Sequence, residues 1–556
     1  MMRTEGHSMR FLSPRILIAL AAVLSLAGIA VGVSVNEWLP LGRDGHVPSP
    51  QREASPTSMT LACPPGIIDP FSTLTASTPS AIWSNTPVDG ENPAQGTRSE
   101  TSSPLSKGAG QLRTVTSQAS EDGRLTLPSG VTIAGQGGGE LVGISATGCA
   151  APSAEQWIAA GSTVVGEDLV LVLANPADSA SVVSISGYSG GGLIDPTPQQ
   201  VTVPAGTTLA VLVAGWYPDA ERLALRVSAD GPGVVAWAQS SGMSGEVPLG
   251  NTWLPSVRPS TTNVIGGIDP KTTSTLRVAV PGDSSAHVEL SAVTAGGTTS
   301  VPGGSVEVDG HTVLDIPLGG IGTGEDTYAL VVSSDVPVAA QVRMRDEGEA
   351  WPGGGQSWET RATASPSTAV TSARLPGASV ITDLVTRQLD ADPVRPTSIP
   401  TPSGALEVKA KLVVVADEYA AHDRLSSASS DSGNVSQKTL TRDTDTDQSG
   451  GQSAGSPQLG GGESTPVDTA QSAGQHSGQG TSGGVMITYG GRTHTIAAGT
   501  TMTLDLASED AEFTSNAPVR IIVEIQASTP VGTVRGAWPV GTLGLATQGA
   551  RVSVDN

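Results

Sequence analysis

Aromatic side chains are scarce in this 556-residue chain: 3 Phe, 5 Tyr and 9 Trp, or 3% of the total. Any large core must therefore be built from Val, Leu, Ile and Ala, within a hydrophobic share of 37%. Basic residues are also few. The 29 Lys and Arg face 52 Asp and Glu, leaving a net charge of −23. Such a surface repels phosphate backbones, and no Lys/Arg cluster stands outside the N-terminal tail, which argues against nucleic-acid binding.

Histidine is thin and scattered. His7, His46 and His476 stand in tail, spacer and polar sequence, while His287, His311, His422 and His494 occupy separate neighbourhoods with no i,i+4 pair. A hydrolytic triad or a zinc site needs convergent histidine, so these are expected on surfaces or strand faces. No P-loop, dinucleotide fingerprint or metal-type cysteine cluster occurs, and no cofactor or metal is expected.

Cysteine occurs twice, as Cys63 and Cys149. In an oxidising compartment such a pair suits a disulfide, which would constrain the unfolded chain by about 4–5 kcal/mol in the entropy model. Two free thiols are the alternative. A lipid anchor at "TLACPPG" fits poorly, since Cys63 lies far past the apolar segment and Thr60 replaces an aliphatic residue.

That apolar segment is "ILIALAAVLSLAGIAVGVSV", Ile16 to Val35, without a charge. About 20 residues at 1.5 Å each match a bilayer core of roughly 30 Å. Arg3, Arg10 and Arg15 precede it, and Glu37 and Asp44 follow it. The asymmetry predicts a signal-anchor with its N-terminus in the cytoplasm and residues 36–556 outside. The alternative is a secreted chain, cleaved near small residues such as Ala30 and Gly32.

The rest is rich in turns, with 69 Gly and 40 Pro, and it repeats itself. "LALRVSADGPGVVAWAQ" (223–239), "YALVVSSDVPVAAQVRM" (328–344) and "EDAEFTSNAPVRIIVEI" (509–525) each read as a strand, a polar turn with Pro232, Pro337 or Pro518, and a second strand. Upstream lie "QQVTVPAGTTLAVLV" (199–213), "GSVEVDGHTVLDIPL" (304–318) and "RTHTIAAGTTMTLDL" (492–506), which alternate as half-buried hairpins. "DLVLVLANPADSASVVSISG" (168–187) and "STLRVAVPGDSSAHVELSAV" (274–293) again show two runs about a turn.

Six or seven strands in about 100 residues is the size of a β-sandwich module. The expected fold is all-β, with tandem immunoglobulin-like β-sandwiches after one transmembrane helix. A β-propeller of paired blades is the alternative. The expected organisation is a cytoplasmic tail 1–15, the anchor 16–35, a spacer 36–60, a divergent β module 61–160, modules 161–258, 259–365 and 366–545, and a tail 546–556. "RLTLPSGVTIAGQGGGELVGISA" (124–146) reads as part of a fourth, weaker copy. The last module is interrupted by Ser426–Gly484, a segment almost free of apolar side chains and expected to be disordered. "KAKLVVVADEY" (409–419) is expected to pair with sequence beyond it.

"GYSGG", Gly187 to Gly191, satisfies the G-x-S-x-G pattern of serine hydrolases. A nucleophile elbow needs a helix directly after the serine. Here Gly190 to Gly192, Pro196 and Pro198 follow, so Ser189 is expected in a hairpin. The pattern recurs at 451–455 and 480–484, inside the polar segment. Asp443, Asp445 and Asp447 begin like a calcium loop, but Gln448 and Ala454 stand where Gly and Glu are required. Exposed Trp could stack on sugars, yet Trp253, Trp351, Trp358 and Trp538 recur near the end of each repeat, which favours packing.

The basic tail, the apolar segment, "LACPPG" and the modules "LVLANPADSASVVSI", "VTVPAGTTLAVLV" and "VSADGPGVVAWAQ" together resemble a family of uncharacterised membrane-anchored, β-rich proteins of actinobacteria. The resemblance covers about residues 10–545 and departs at the segment 426–484. It implies a cell-envelope location and an actinobacterial source, and transfers no catalytic residue. The expected function is a non-enzymatic envelope protein that binds another envelope protein or presents a surface. The alternative is a glycan-binding or glycan-processing protein using Trp with acids such as Asp219, Asp346 and Glu347.

Overall fold

The computed structural model describes residues 58–70, 80–85, 110–118 and 127–541, apart from 323, 325, 352–355, 397–403 and 419–483, with short pieces at 53–54, 74, 88–89, 106–108 and 550–551. The segments 16–35, most of 84–113, and 426–483 lie outside the described residues. No helix among the described residues is long and apolar enough to cross a membrane. One small unit pairs Glu53–Ala54 with Ala550–Arg551; everything else belongs to the unit 57–547.

Among the described residues the large unit is all-β with one α-helix, and one strand order occurs three times. In the second copy, Tyr328–Ala350 is a single strand of 23 residues. Its first half pairs with Ser260–Ile268 and Ala286–Thr294, and its second half with Thr273–Ala279 and Ser357–Ala364. Gly297–Val308 and Val313–Pro317 flank the two halves. The result is one seven-stranded sheet, bent into a nearly closed, barrel-like wall. The third copy repeats this order around Ala511–Thr529. In the first copy the long strand is split into Leu223–Ala229 and Val235–Ser244, giving two sheets about one core.

The sequence suggests a turn at each proline, but Pro337 and Pro518 lie inside continuous strands. Pairing with the opening strand skips here, from Ser333 to Val338 and from Thr514 to Val519. The strand changes partners at this corner, and a residue without an N–H leaves no ladder donor unpaired there. The expected hairpins also differ. Gln199–Val203 pairs with Ser181–Ser189, whereas Thr207–Leu212 pairs with Glu167–Asn175 in the opposite sheet. These connections are arches between sheets. Alternation puts the same residues inward in an arch as in a hairpin, so the local pattern does not separate them.

The apolar runs "LVLVLA" and "LVVVA" have a simple cause: both faces of these strands are covered. Leu169, Leu171 and Leu173 face the first copy's own core, while Val170, Val172 and Ala174 face outward against Ala62, Ile67, Ile68 and Leu74. Likewise Leu412 and Val414 face inward in the third copy, and Val413 and Val415 meet Val264 and Val331 of the second. Between the first two copies, Trp157 and Ala159 lie on Ala279 and Ala339. Each copy thus shares apolar seams with its neighbours in the chain, the first with the segment before it and the copy after it.

The described strands between 58 and 148 form two three-stranded sheets rather than this order, apart from Ser106–Gly108, which pairs with Thr207–Leu212 of the first copy. Cys63 and Cys149 are joined by a disulfide. The hairpin Gly130–Gln136 with Gly143–Gly148 enters the third copy's core beside the helix Ala378–Leu389. Strand Glu407–Ala416 pairs with 500–505 and 520–528, so residues 419–483 are inserted within one copy.

Candidate functional site

The nominated residues do not converge. Ser189 ends a strand, and its Oγ donates to Gly192 O at 3.2 Å and accepts from Gly191 N at 3.2 Å within the hairpin. His311 Nε2 lies 2.7 Å from Asp283 Oδ1, and its ring stacks on Tyr188. His287 lies between Glu289 and Glu307 on an exposed strand face. His494 lies in the strand Arg492–Ile496. Asp346 is engaged by Arg535 at 3.0 Å, Glu347 is exposed, and Asp219 sits in a turn at φ 56°. His422, Asp443, Asp445 and Asp447 lie outside the described residues. Among the described residues no three His, Cys, Asp or Glu cluster as metal ligands.

Tryptophan is used for packing. Trp83, Trp157, Trp237, Trp253, Trp351, Trp358 and Trp538 are buried, and Trp216 is half-buried. Trp351 and Trp358 meet edge to face at 4.6 Å between centroids.

The seams between copies hold charged groups. Arg361 binds Glu167 of the first copy through both carboxylate oxygens, at 2.5 and 2.8 Å. Fully buried Arg277 pairs with Asp315 at 2.6 Å and donates to the carbonyls of Gly161 and Glu221. Burial pushes the Asp315 carboxyl up, but Arg277's hydrogen bond and charge, with Arg343, hold it below its ordinary value. Burial and the neighbouring Arg277 charge pull Arg343 down to about 10, against the attraction of Asp315. Arg520 pairs with buried Asp417 and donates to Ser367 O in the linker between the second and third copies. Among the described residues two carboxyls are raised. Burial, then the Glu167 charge, lifts Asp168 to about 6. Burial lifts Glu524 to about 7 at the seam between the second and third copies, where it accepts from Thr327 Oγ1 at 3.2 Å.

The closing strands Val247–Pro255, Ser357–Ala364 and Gly532–Val540 and the strand Gly143–Gly148 pack side by side in a closed round. Thr360 Oγ1 donates to Thr533 O at 2.7 Å, and Ser145 Oγ lies 3.3 Å from Thr252 Oγ1. Gly250 allows the approach, since a Cβ there would stand 2.8 Å from Arg361 N. The ends of these four strands meet around a cavity of about 80 Å³. Its wall includes Val257, Trp538, Pro255, Pro366 and Pro539, and its rim includes Arg258 and Ser153. Gln156 is fixed beneath it by Val234 O, Ala236 N and Ser256 Oγ. Cavities between packed modules are common ligand sites; a second, wider hollow of about 380 Å³ lies beside Val164, Asp168, Pro218 and Met243, within the first copy. Sequence reading did not find the cavity at the strand ends, because its wall is drawn from residues between Leu61 and Gly541.

No curated protein and no solved structure matches the sequence. A family of unknown function, DUF5719, matches residues 106–449, more than half of the chain, ending within the insertion before the strands that complete the third copy; the protein belongs to that family.

Proposed function

We propose that the protein is a non-enzymatic envelope protein of actinobacterial type, anchored by Ile16–Val35, whose three copies are immunoglobulin-like β-sandwiches forming one rigid interaction body outside the cytoplasm. The burial of the tryptophans carries this reading: seven of eight described side chains are spent on packing. That leaves the glycan-binding alternative without its stacking platform. The ion pairs and shared apolar seams support rigidity, since each copy's outer face is built into its neighbour. The hairpin bonds of Ser189 support a structural role for its motif.

Crosslinking and affinity capture from membranes of the source organism test the reading. A discrete envelope protein, captured by the full chain and lost when residues 58–541 are removed, is expected. External protease on spheroplasts should degrade the bulk of the chain. A fluorophosphonate adduct that disappears in Ser189→Ala would overturn the non-enzyme reading.

A further inference from the structure

The cavity where the closing strands end differs electrostatically from the rest of the molecule. The chain carries 52 acidic residues, yet none of the residues lining this cavity is Asp or Glu. The one charged residue at the cavity is Arg258, which is exposed. Its Nη2 reaches Ser153 Oγ at 3.4 Å, and it forms no ion pair among the described residues. Other arginines at the junctions between copies behave differently: Arg277, Arg361, Arg520 and Arg535 are each paired with a carboxylate. An arginine fork left without a carboxylate, above a wall free of acids, selects a planar anion.

The wall behind Arg258 sets the rest of the ligand. Pro255, Pro366 and Pro539 have no N–H to offer, and Val257 and Trp538 add apolar surface. At about 30 Å³ per water, the 80 Å³ space holds about three waters or one small aliphatic group. A phosphate or sulfate would leave this apolar wall unused. An Asp or Glu side chain presents its carboxylate without an aliphatic group beside it. The terminal residue of a peptide presents both.

We infer that this cavity binds the free C-terminus of a peptide ending in a small aliphatic residue, with the carboxylate on Arg258 and the side chain against Trp538 and Val257. The inference names what the proposed interaction body grips, and rests on that reading.

The probe is acetyl-Ala-Val with a free carboxylate, compared with its C-terminal amide by tryptophan fluorescence and by amide NMR shifts on the full chain. The acid is expected to bind and to shift the amides of Ser256, Val257, Arg258, Ala537, Trp538, Val540 and Gly541. The amide should bind at least about tenfold more weakly, as for loss of a charge-assisted bond. Arg258→Gln should cause the same loss and Arg258→Lys a partial one; Arg258 is exposed, so both variants should fold. Equal binding of acid and amide, unchanged binding in Arg258→Gln, or no binding of either peptide would overturn the inference. So would a neutral disaccharide that shifts the same residues in both wild type and Arg258→Gln. If the peptide fails while membrane capture still succeeds, the cavity assignment falls and the envelope reading stands. If capture alone fails, the reverse holds.

Discussion

Glu167 and Arg361 lie 194 residues apart and meet as a two-point ion pair, 2.5 and 2.8 Å, between the first and second copies. Both side chains are nearly withdrawn from solvent, at 11% and 6% exposure. Removing Arg361 leaves the nearly buried Glu167 with Arg345 alone, at 3.6 Å, at a cost toward the lower end of about 3–5 kcal/mol. Arg361→Met is therefore expected to lower stability by that order in denaturant titration. The double variant Arg361→Met with Glu167→Met should recover most of the loss. A double variant as unstable as the single one would show that the pair does not act as a unit.

Acid should stabilise the fold across one window. Asp168 and Glu524 stand at about 6 and about 7, above their ordinary 3.8 and 4.5. A raised carboxyl favours the folded chain while protonated. Its contribution is complete below the unfolded value and is lost as pH climbs through the folded one. Stability from these two groups should therefore fall between about pH 4 and pH 7. Glu524→Gln should remove the upper part of that slope. A slope unchanged in this variant, followed by thermal unfolding across the window, would show that Glu524 is not its source.

The disulfide ties down the segment that covers the first copy. Cys63 and Cys149 are 86 residues apart. Ile68 donates its N–H to Gln239 Oε1 at 2.8 Å and accepts from Gln239 Nε2 at 2.7 Å. Loss of the crosslink by Cys63→Ser with Cys149→Ser should cost about 4–5 kcal/mol by loop-closure entropy. Trp237 lies beneath this cover. A red shift of tryptophan emission at a lower temperature than in the oxidised protein is the expected readout.

Asn251 is fully buried, and both of its side-chain amide atoms lack a partner among the described residues. A buried amide without partners costs about 1–3 kcal/mol. Asn251→Leu should thus hold or raise stability, by about 1 kcal/mol. A fall of more than about 2 kcal/mol in chemical denaturation would show that the amide is bonded in solution.

The third copy is sewn together across its insertion. Leu412 pairs with both Leu504 and Val523, so residues 485–556 lack the strand that joins them. Expressed alone, that fragment should give no cooperative transition and narrow amide NMR dispersion. Shortening residues 419–483 to about 10 should leave stability unchanged or slightly higher, since loop closure costs only about 0.6 kcal/mol per doubling of length.

Much of this architecture was legible because strand chemistry is local. The runs at 168–174 and 409–416 announced strands, and their lack of polar alternation recorded cover on both faces. What escaped was decided between distant segments. Whether Thr207–Leu212 turns back on its neighbour or crosses to the other sheet depends on Glu167–Asn175, not on its own residues. The helix Ala378–Leu389 was missed although its spacing shows it: Ile381, Leu384, Val385 and Leu389 fall on one buried face. The cavity left no sequence signal, because no short stretch supplies more than a fragment of its wall.

The way each copy covers the next gives the fold a direction. A chain synthesised from its N-terminus delivers the cover before the surface that needs it. Residues 62–74 precede the outer face of the first copy, Trp157 precedes Ala339, and Val264 precedes Ile522. Each newly made sheet therefore finds its N-terminal lid waiting, while the seam it offers the next copy, such as Val264 and Val331, stays open until that copy arrives. The hairpin 130–148 runs against this order. Val131, Ile133 and Ile144 meet Leu412 and Val523 only when the third copy arrives. A chain stalled before residue 412 would hold Gly143–Gly148 against Val247–Pro255 but leave the hairpin's third-copy face uncovered, so completing its burial is the natural final step of assembly.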